Sequence, residues 1–300
     1  MAGLPIVHLP EGAQPSPSPA ARPDWLRVRA PGGGRVDELA ALLAERRLHT
    51  VCSSAACPNR AECWSAGTAT FLILGNRCTR ACRFCDVQTS ATPEAVDLDE
   101  PVRLAEAAAL LALSHVVITG VTRDDLPDGG ARQFARCLHA VRARLPHATL
   151  EVLVSDLGGD EQALQQVLDA APDVFAHNLE TCERLTPQIR SGAQYRRSLA
   201  LLAAAKRRAP AVRTKTGLML GLGEHDDEVL AALADARAAA VDVVTLGQYL
   251  RPSAWNAPVE RYVTPARFDE LGAAARALGF LHVESGPLVR SSYHAERALP

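Results

Sequence analysis

The stretch of the chain best equipped for chemistry is NRCTRACRFCD, which carries Cys78, Cys82 and Cys85 at C-x3-C-x2-C spacing. Three thiolates on one short loop can bind a single iron–sulfur cluster, whereas ferredoxin-type clusters take four cysteines. With three ligands, one iron keeps an open position, and in catalytic metal sites the substrate binds at such a position. The spacing also leaves open a zinc ion completed by a distant His or Cys.

A second triplet, Cys52, Cys57 and Cys63, has C-x4-C-x5-C spacing and again lacks a fourth cysteine nearby. On its own, this pattern is also typical of buried or zinc-binding cysteines that stabilise an N-terminal cap. Cys137 and Cys182 stand alone, and we expect both to be packing residues. A disulfide framework is not expected in a reducing compartment for a chain large enough to bury a core. The cysteines therefore predict two metal sites.

Length and composition indicate an ordinary globular chain. Its 300 residues are 48% hydrophobic and 22% charged, which is enough for one large α/β domain or two small ones. The formal net charge of -2 gives no long-range argument for a nucleic-acid or membrane partner. Because the chain has neither a long apolar run nor a basic segment followed by one, we expect a cytoplasmic protein.

The elements that position the cysteines alternate between strand and helix. From TFLIL at residue 70 onward, short β-branched runs are separated by Ala/Leu/Arg stretches with helical periodicity. This alternation predicts an α/β fold with a parallel sheet, specifically a partial (β/α)6-type TIM barrel. In such a barrel, functional residues lie in the loops that follow the strands. The first triplet, TGVTRDD, HNLET, GLGE and SGPLVRSSYH all fall in such loops.

The same pattern predicts four parts of the chain. Residues 1–34, rich in Pro, Gly, Ser and Ala, form a mobile N-terminal segment. Residues 35–69 form an extension that carries the second triplet, and residues 70–286 form the barrel. Residues 287–300 form a C-terminal tail that closes over the barrel mouth.

The first triplet, with Phe84 just before its last cysteine, resembles the radical S-adenosylmethionine (SAM) superfamily. The second triplet together with RSSYHAE near the end of the chain resembles the lipoyl synthase family within it. The resemblance extends from about residue 22 to residue 296 through CPNRAECW, GTATFLILGNRCTRACRFCDV, HNLETCERLTPQIR, KTGLMLGLGE and TLGQYLRPS. Coverage of this extent is far more specific than a cysteine motif alone.

The resemblance implies two sets of iron ligands: Cys78, Cys82 and Cys85 for a 4Fe-4S cluster whose open iron binds SAM, and Cys52, Cys57, Cys63 and Ser292 for an auxiliary 4Fe-4S cluster. A hydroxyl is an unusual iron ligand and leaves easily, so Ser292 is the expected catalytic residue. Considered without the cysteines, Ser291 and Ser292 would instead be explained by helix capping or hydrogen bonding near the C-terminus.

Six further residues are expected to contact SAM or the surrounding site: Thr119, Gly120, Asn178, Glu180, Lys215 and Arg290. Lys215 is one of only two lysines in the chain and is expected to point into the barrel and neutralise a carboxylate of SAM or of the site. Plainer explanations remain open. Gly120 also fits a turn, Asn178 and Glu180 an Asx-turn with helix N-terminal charge, and Lys215 a solvated strand end.

The family's reaction inserts two sulfur atoms into an octanoyl chain carried on a lysine, with the auxiliary cluster as sulfur donor. The implied partners are octanoylated lipoyl-carrier domains, namely 2-oxoacid dehydrogenase acyltransferase subunits or the glycine cleavage H protein. A flavodoxin or ferredoxin reductant and an iron–sulfur carrier protein for cluster repair are also implied. The alternatives are a biotin synthase-like enzyme, a non-catalytic iron–sulfur electron carrier and a zinc-stabilised binding module.

The chain departs from the family in SAWNAPV, where the family usually has a His just before Leu-Pro. Trp255 and Asn256 stand there instead. If this loop meets the carrier protein, the departure affects docking rather than cluster chemistry.

Overall fold

The computed structural model describes residues 22–27, 34–54, 59 and 70–292. Of the predicted site residues, Cys57 and Cys63 lie outside this part of the chain, as does most of the predicted 1–34 segment. The strands are β1 His49–Thr50, β2 Thr70–Ile73, β3 Arg77–Cys78, β4 Gln88–Thr89, β5 His115–Gly120, β6 Thr149–Leu153, β7 Val174–Ala176, β8 Arg213–Leu220, β9 Val243–Gln248 and β10 His282–Ser285. The α-helices are α1 Gly34–Glu45, α2 Val51–Ser54, α3 Glu100–Leu110, α4 Ala131–Arg144, α5 Glu161–Asp169, α6 Thr186–Ile189, α7 Tyr195–Arg208, α8 Asp226–Ala238 and α9 Pro265–Ala277.

Eight strands form one sheet in the order β1-β2-β5-β6-β7-β8-β9-β10. Strands β2 and β5 to β10 are parallel, and only β1 pairs antiparallel with its neighbour, β2. Six of the parallel strands are each followed by helix before β10 completes the series, which confirms the predicted α/β partial barrel. Within the described residues β1 and β10 are the two edges of the sheet, so the barrel is open.

The two faces of the sheet differ in chemistry because successive side chains of a strand point to opposite sides. On β5, Val116 and Ile118 are fully buried in the apolar layer beneath α3 and α4, together with Leu104 and Phe134. Thr119, the residue after Ile118, lies on the opposite face of the strand and points to the barrel interior. The outer face of the sheet is apolar and packs on the helices, whereas the inner face is more polar. The barrel interior is therefore not a wholly apolar core.

Side chains cap the first turns of helices α5 and α9. Asp160 accepts hydrogen bonds from the amides of Gln162 (2.7 Å) and Ala163 (3.2 Å) at the start of α5. Thr264 caps α9, whose first residue is Pro265. These caps fix the residues at which the two helices begin. Of the helices described, none is both long and apolar enough to cross a membrane.

Candidate functional site

A cavity of about 530 Å³ lies where the parallel strands end. Its walls come from the loops after the strands, from α2 and from the described part of the C-terminal tail, residues 287–292. The predicted site residues that line it are Cys52, Cys78, Cys82, Cys85, Thr119, Gly120, Asn178, Glu180, Arg290 and Ser292. The structure therefore brings together in one cavity residues that are up to 240 positions apart in sequence.

The cysteine loop, residues 78–85, presents three half-buried side chains to the cavity. Burial, together with the nearby Cys85 and Cys78, raises the pKa of the Cys82 thiol to about 12, because burial and like charges both oppose ionisation. Burial likewise raises the pKa of Cys85 to about 11. Three closely spaced thiols are a donor set in need of a cation, which an iron–sulfur cluster supplies.

An ionic clamp fixes this loop to its neighbours. Arg80 makes a bidentate pair with Asp124 (2.7 and 2.8 Å) and also bonds to Asp156 (2.8 Å). Arg197 from α7 donates to the second oxygen of Asp156 (2.6 and 2.9 Å). Although burial opposes its ionisation, the two guanidinium groups hold the pKa of Asp156 well below its ordinary value. The clamp ties the cysteine loop to the loops after β5 and β6.

The segment 251–257 backs the same loop from the other side. Asn256 is fully buried, and its Nδ2 donates to the backbone carbonyl of Cys85 at 2.9 Å. The amide of Ala257 donates to the Arg83 carbonyl at 2.7 Å, and the Arg83 guanidinium lies 5.1 Å from the centre of the Trp255 ring. Trp255 and Asn256, the residues at which the chain departs from its family, thus contact the cysteine loop.

The opposite wall of the cavity, at the end of β7, offers an unused acceptor. Asn178 Nδ2 donates to Glu180 Oε1 at 3.0 Å, whereas its Oδ1 is buried without a hydrogen-bond partner. Burial raises the pKa of Glu180. Gly217 keeps the space in front of Asn178 clear, because a Cβ there would lie 2.7 Å from Thr245 Oγ1. A ligand with hydroxyl or amine donors satisfies this arrangement, which fits the ribose and amine of SAM.

A directed chain of hydrogen bonds holds a buried cation beside the cysteines. His177 Nδ1 lies 2.9 Å from the Val154 carbonyl, which only accepts, so Nδ1 carries the proton and Nε2 accepts from Ser198 Oγ at 2.8 Å. Ser198 Oγ in turn accepts from Arg190 at 3.1 Å. Burial, followed by the charge of Arg190, lowers the pKa of His177 to about 4. His177 is therefore neutral at neutral pH, and the series of hydrogen bonds keeps one direction.

Four residues of this site were missed by the sequence analysis: Arg80, Asp156, His177 and Arg190. Arg190 is buried and lines the cavity, and burial lowers its pKa despite the nearby Glu180 and Cys82. A buried guanidinium beside the cysteine loop favours an anionic ligand. Its signal in the sequence is its position at the end of HNLETCERLTPQIR, the motif that also contains Asn178 and Glu180.

Lys215 is not among the residues that line the cavity. It is buried, and its Nζ bonds to Glu151 Oε1 at 2.8 Å, while His115 Nε2 lies 3.3 Å from the other oxygen of Glu151. Burial alone would raise the pKa of Glu151, but Lys215 and His115 bring it below its ordinary value. Lys215 therefore pairs with a carboxylate of the protein, Glu151, and does not line the cavity with the other predicted site residues.

The C-terminal tail docks on β9 through a close backbone approach. A Cβ on Gly247 would lie only 2.1 Å from the Val289 carbonyl oxygen, so only glycine admits the tail there. Asn59, which lies between the second and third cysteines of the second triplet, donates to the Leu288 carbonyl at 2.6 Å. Asn59 and the tail are therefore in direct contact. Arg290 donates to the Val289 carbonyl at 2.6 Å and also lines the cavity.

The two serines of the tail contact different strands. Ser291 Oγ accepts from Asn178 Nδ2 at 3.2 Å, beside the end of β7. Ser292 Oγ accepts from the Thr70 hydroxyl at 2.9 Å, on β2. Cys52 lines the same cavity as Ser292, so one cysteine of the second triplet and the proposed oxygen ligand share it.

Considering only the described residues, no three Cys, His, Asp or Glu side chains converge on a point where one metal ion could sit. A 4Fe-4S cluster does not require such convergence, because its cysteines bind different iron atoms.

Comparison with known proteins gives consistent results. The Radical SAM superfamily matches residues 72–236. Lipoyl synthase of Methylococcus capsulatus is 54% identical over 97% of this chain and 90% of that protein, and lipoyl synthase of Nitrosococcus oceani is 50% identical with the same coverage. The [FeFe]-hydrogenase maturase HydG superposes with a TM-score of 0.56 at 14% identity, over 75% of this chain and 58% of that one. SuiB of Streptococcus suis, crystallised with SAM, superposes with a TM-score of 0.56 at 11% identity, over 81% of this chain and 56% of that one. These two structures share the fold.

Proposed function

Because the chain belongs to the lipoyl synthase family of the radical SAM superfamily, we propose that it inserts two sulfur atoms into the octanoyl chain of an octanoyl-lysyl carrier domain, giving the lipoyl cofactor. It is a SAM-dependent sulfurtransferase that uses 4Fe-4S clusters. The observation that carries the proposal is the shared cavity, in which the cysteine loop, Cys52 and Ser292 all present side chains. Sulfur insertion requires the site that activates SAM and the sulfur source to face one substrate.

The proposed ligands of the first cluster are Cys78, Cys82 and Cys85, and those of the auxiliary cluster are Cys52, Cys57, Cys63 and Ser292. When bound, the first cluster supplies the electron that cleaves SAM, and the auxiliary cluster supplies the sulfur. The protein's own part is to position these groups and to exclude water, because an unactivated C–H bond is beyond acid–base catalysis.

The proposed SAM contacts lie around the cysteine loop. The buried Asn178 Oδ1 accepts from a ribose hydroxyl or the amine, and Glu180 binds the same polar edge. Arg190 supplies positive charge for the carboxylate, with His177 and Ser198 holding it in place. Thr119 and Gly120 line the wall at the end of β5, and a Cβ on Gly120 would lie 3.0 Å from the Phe134 ring, so a larger residue there would have to displace this ring.

Ser292 is the proposed releasable ligand. A serine oxygen is harder and more basic than a thiolate and is therefore more easily protonated off iron. Its position on the tail allows it to leave without disturbing the sheet. Arg290, two residues earlier, faces the same cavity and is proposed to contact the substrate or hold the auxiliary cluster.

The substrate is proposed to be a lipoyl-carrier domain, from a 2-oxoacid dehydrogenase acyltransferase subunit or the glycine cleavage H protein. A flavodoxin or ferredoxin is the proposed reductant, and an iron–sulfur carrier protein the proposed agent of cluster repair. We place the enzyme in the cytoplasm. The extension 35–69 and the tail 287–300 are proposed to supply the auxiliary ligands to the barrel of residues 70–286.

The test uses anaerobically purified protein with SAM, dithionite and an octanoyl-lysine peptide. The expected results are about eight irons and eight sulfides per chain, 5'-deoxyadenosine, and a peptide that has gained two sulfur atoms by mass spectrometry. The matched control is the Cys78→Ala/Cys82→Ala/Cys85→Ala variant, which should yield neither product. Iron without 5'-deoxyadenosine would instead indicate an electron carrier, and zinc without colour would exclude both iron functions. Turnover of dethiobiotin in place of the peptide would indicate a biotin synthase-like enzyme.

A further inference from the structure

We propose that Thr70 is a positioning residue for Ser292, holding its side-chain oxygen by a hydrogen bond and strengthening it as a ligand of the auxiliary cluster. The inference rests on the proposed function, since it takes Ser292 as a ligand. It adds a residue outside both cysteine triplets and outside the tail, on a strand of the barrel itself.

The geometry of Thr70 suits this role. Its hydroxyl lies 2.9 Å from Ser292 Oγ, across 222 residues of sequence. Only 5% of Thr70 is exposed, so water does not compete freely for the contact. Its backbone is fixed because β2 pairs with β5, where Thr70 lies opposite Val117. The hydroxyl is therefore held by the sheet, whereas Ser292 is carried by a loop.

The register of β1 on β2 brings a cysteine of the second triplet to the same place. Thr50 pairs with Phe71, so the antiparallel register leads the next residues of the chain past Thr70. Cys52 follows there, buried and facing the cavity. Thr70 thus lies at the junction between the extension that carries Cys52 and the tail that carries Ser292.

The adjacent serine has a separate partner, which distinguishes the two. Ser291 accepts from Asn178, beside β7, and β5 and β6 separate that strand from β2. Only Ser292 is directed to the side where Cys52 lies. The geometry thus selects Ser292 over Ser291 without reference to sequence motifs.

The direction of the effect follows from the strength of the bond. A deprotonated oxygen accepts a hydrogen bond about twice as strongly as a neutral hydroxyl does. The ligand form of Ser292 therefore gains more from Thr70 than the released form. Hydrogen bonds to charged groups are strong enough that loss of the Thr70 hydroxyl should weaken retention of the serine ligand by about tenfold or more.

The experiment isolates the auxiliary cluster in the Cys78→Ala/Cys82→Ala/Cys85→Ala background. In that background we compare Thr70, Thr70→Val, Thr70→Ala and Thr70→Ser, with Ser292→Ala as the reference for a lost ligand. After mild oxidation, electron paramagnetic resonance measures the 3Fe-4S form, which appears when the weakly held iron leaves. Thr70→Val and Thr70→Ala should form it about tenfold faster, approaching Ser292→Ala, while Thr70→Ser should restore the slow rate.

Thr214→Val is the matched control, because Thr214 is also buried and its hydroxyl bonds to the Ala240 carbonyl and to Asp242, away from the cavity. Equal rates for Thr70, Thr70→Val and Thr70→Ala would overturn the proposal. If Thr70→Val does not fold, the Ala and Ser variants, which differ by one oxygen atom, decide the matter. A background protein that binds no iron would refute the auxiliary cluster itself, which is a failure of the proposed function.

Discussion

The cysteine loop and the C-terminal tail face the same cavity but are held by different forces. The loop is anchored by ion pairs among Arg80, Asp124 and Asp156, and by the buried Asn256. The tail is held by neutral hydrogen bonds, such as those from Thr70 and Asn59, and by a close backbone approach. A cluster that must survive turnover needs the first kind of support, and a ligand that must leave needs the second.

The largest expected effect comes from breaking the ionic clamp. Asp156→Asn leaves the guanidinium groups of Arg80 and Arg197 short of one negative charge in a site where the Asp156 side chain is fully buried. We expect a loss of about 4 kcal/mol in the free energy of unfolding, measured by urea denaturation, together with loss of iron from the cysteine loop. Glu183→Gln, which removes charge from an exposed pair with Arg196, should leave stability near the wild-type value. An equal effect of both variants would contradict the clamp.

The next effect is a pH dependence that originates at His177. Its pKa falls from about 6.5 in the unfolded chain to about 4 in the folded protein, because of burial and the nearby Arg190. Between pH 6.5 and pH 4, His177 therefore binds a proton in the unfolded chain but not in the folded protein. Stability is full above pH 6.5 and decreases by about 1.4 kcal/mol per pH unit, or about 3 kcal/mol in all, down to pH 4.

Urea denaturation of wild type and His177→Asn between pH 7.5 and pH 4.5 tests this dependence. The variant should be less stable at neutral pH but show a shallower decline on acidification. The exposed His147 provides the control, since His147→Asn should keep the wild-type slope. Parallel curves for wild type and His177→Asn would show that His177 titrates normally.

A smaller loss of stability is expected at the backing segment. Asn256→Ala removes the donor to the Cys85 carbonyl and should cost about 2 kcal/mol in the free energy of unfolding. Iron retention by the cysteine loop after gel filtration should fall as well. Ser253→Ala is the matched control, because it removes a donor to the Asn256 side chain and leaves the bond to Cys85 in place. If the control loses as much iron, the contact with Cys85 is not the cause.

The smallest effect on stability should come from the tail, where the effect on activity is greatest. Ser292→Cys is expected to change the free energy of unfolding by about 0.5 kcal/mol or less. It should retain both clusters and still release 5'-deoxyadenosine, but a thiolate does not leave the iron, so sulfur insertion should fail. Iron analysis, urea denaturation and mass spectrometry of the peptide measure the three outcomes. Undiminished lipoyl formation would show that release of this ligand is unnecessary.

The fold and the cysteine motifs could be predicted from the sequence because both are local. Strand and helix periodicity repeats along the chain, and the spacing of Cys78, Cys82 and Cys85 is visible in eight residues. The placement of Lys215 could not be predicted in the same way. Its partner, Glu151, is on β6, two strands from β8, so only the sheet order reveals that they meet.

The supporting residues of the site were missed for a related reason. Arg80 and Asp156 are 76 residues apart, and their pairing depends on how two loops fold over the barrel. Asn256 was noticed as a departure from the family, but its contact with Cys85 spans 171 residues. Spacing within a motif identifies ligands, whereas the residues that hold those ligands are defined by tertiary contacts.

Gly247 has a consequence for comparing members of the family. Any side chain at this position meets the Val289 carbonyl, so it is incompatible with the docked tail without altering a single proposed ligand. The residue at this position therefore indicates whether the tail of a relative can dock in the same way. A relative with Ala or Ser there must bring its oxygen ligand to the cavity by another path, and its tail should differ in length or sequence.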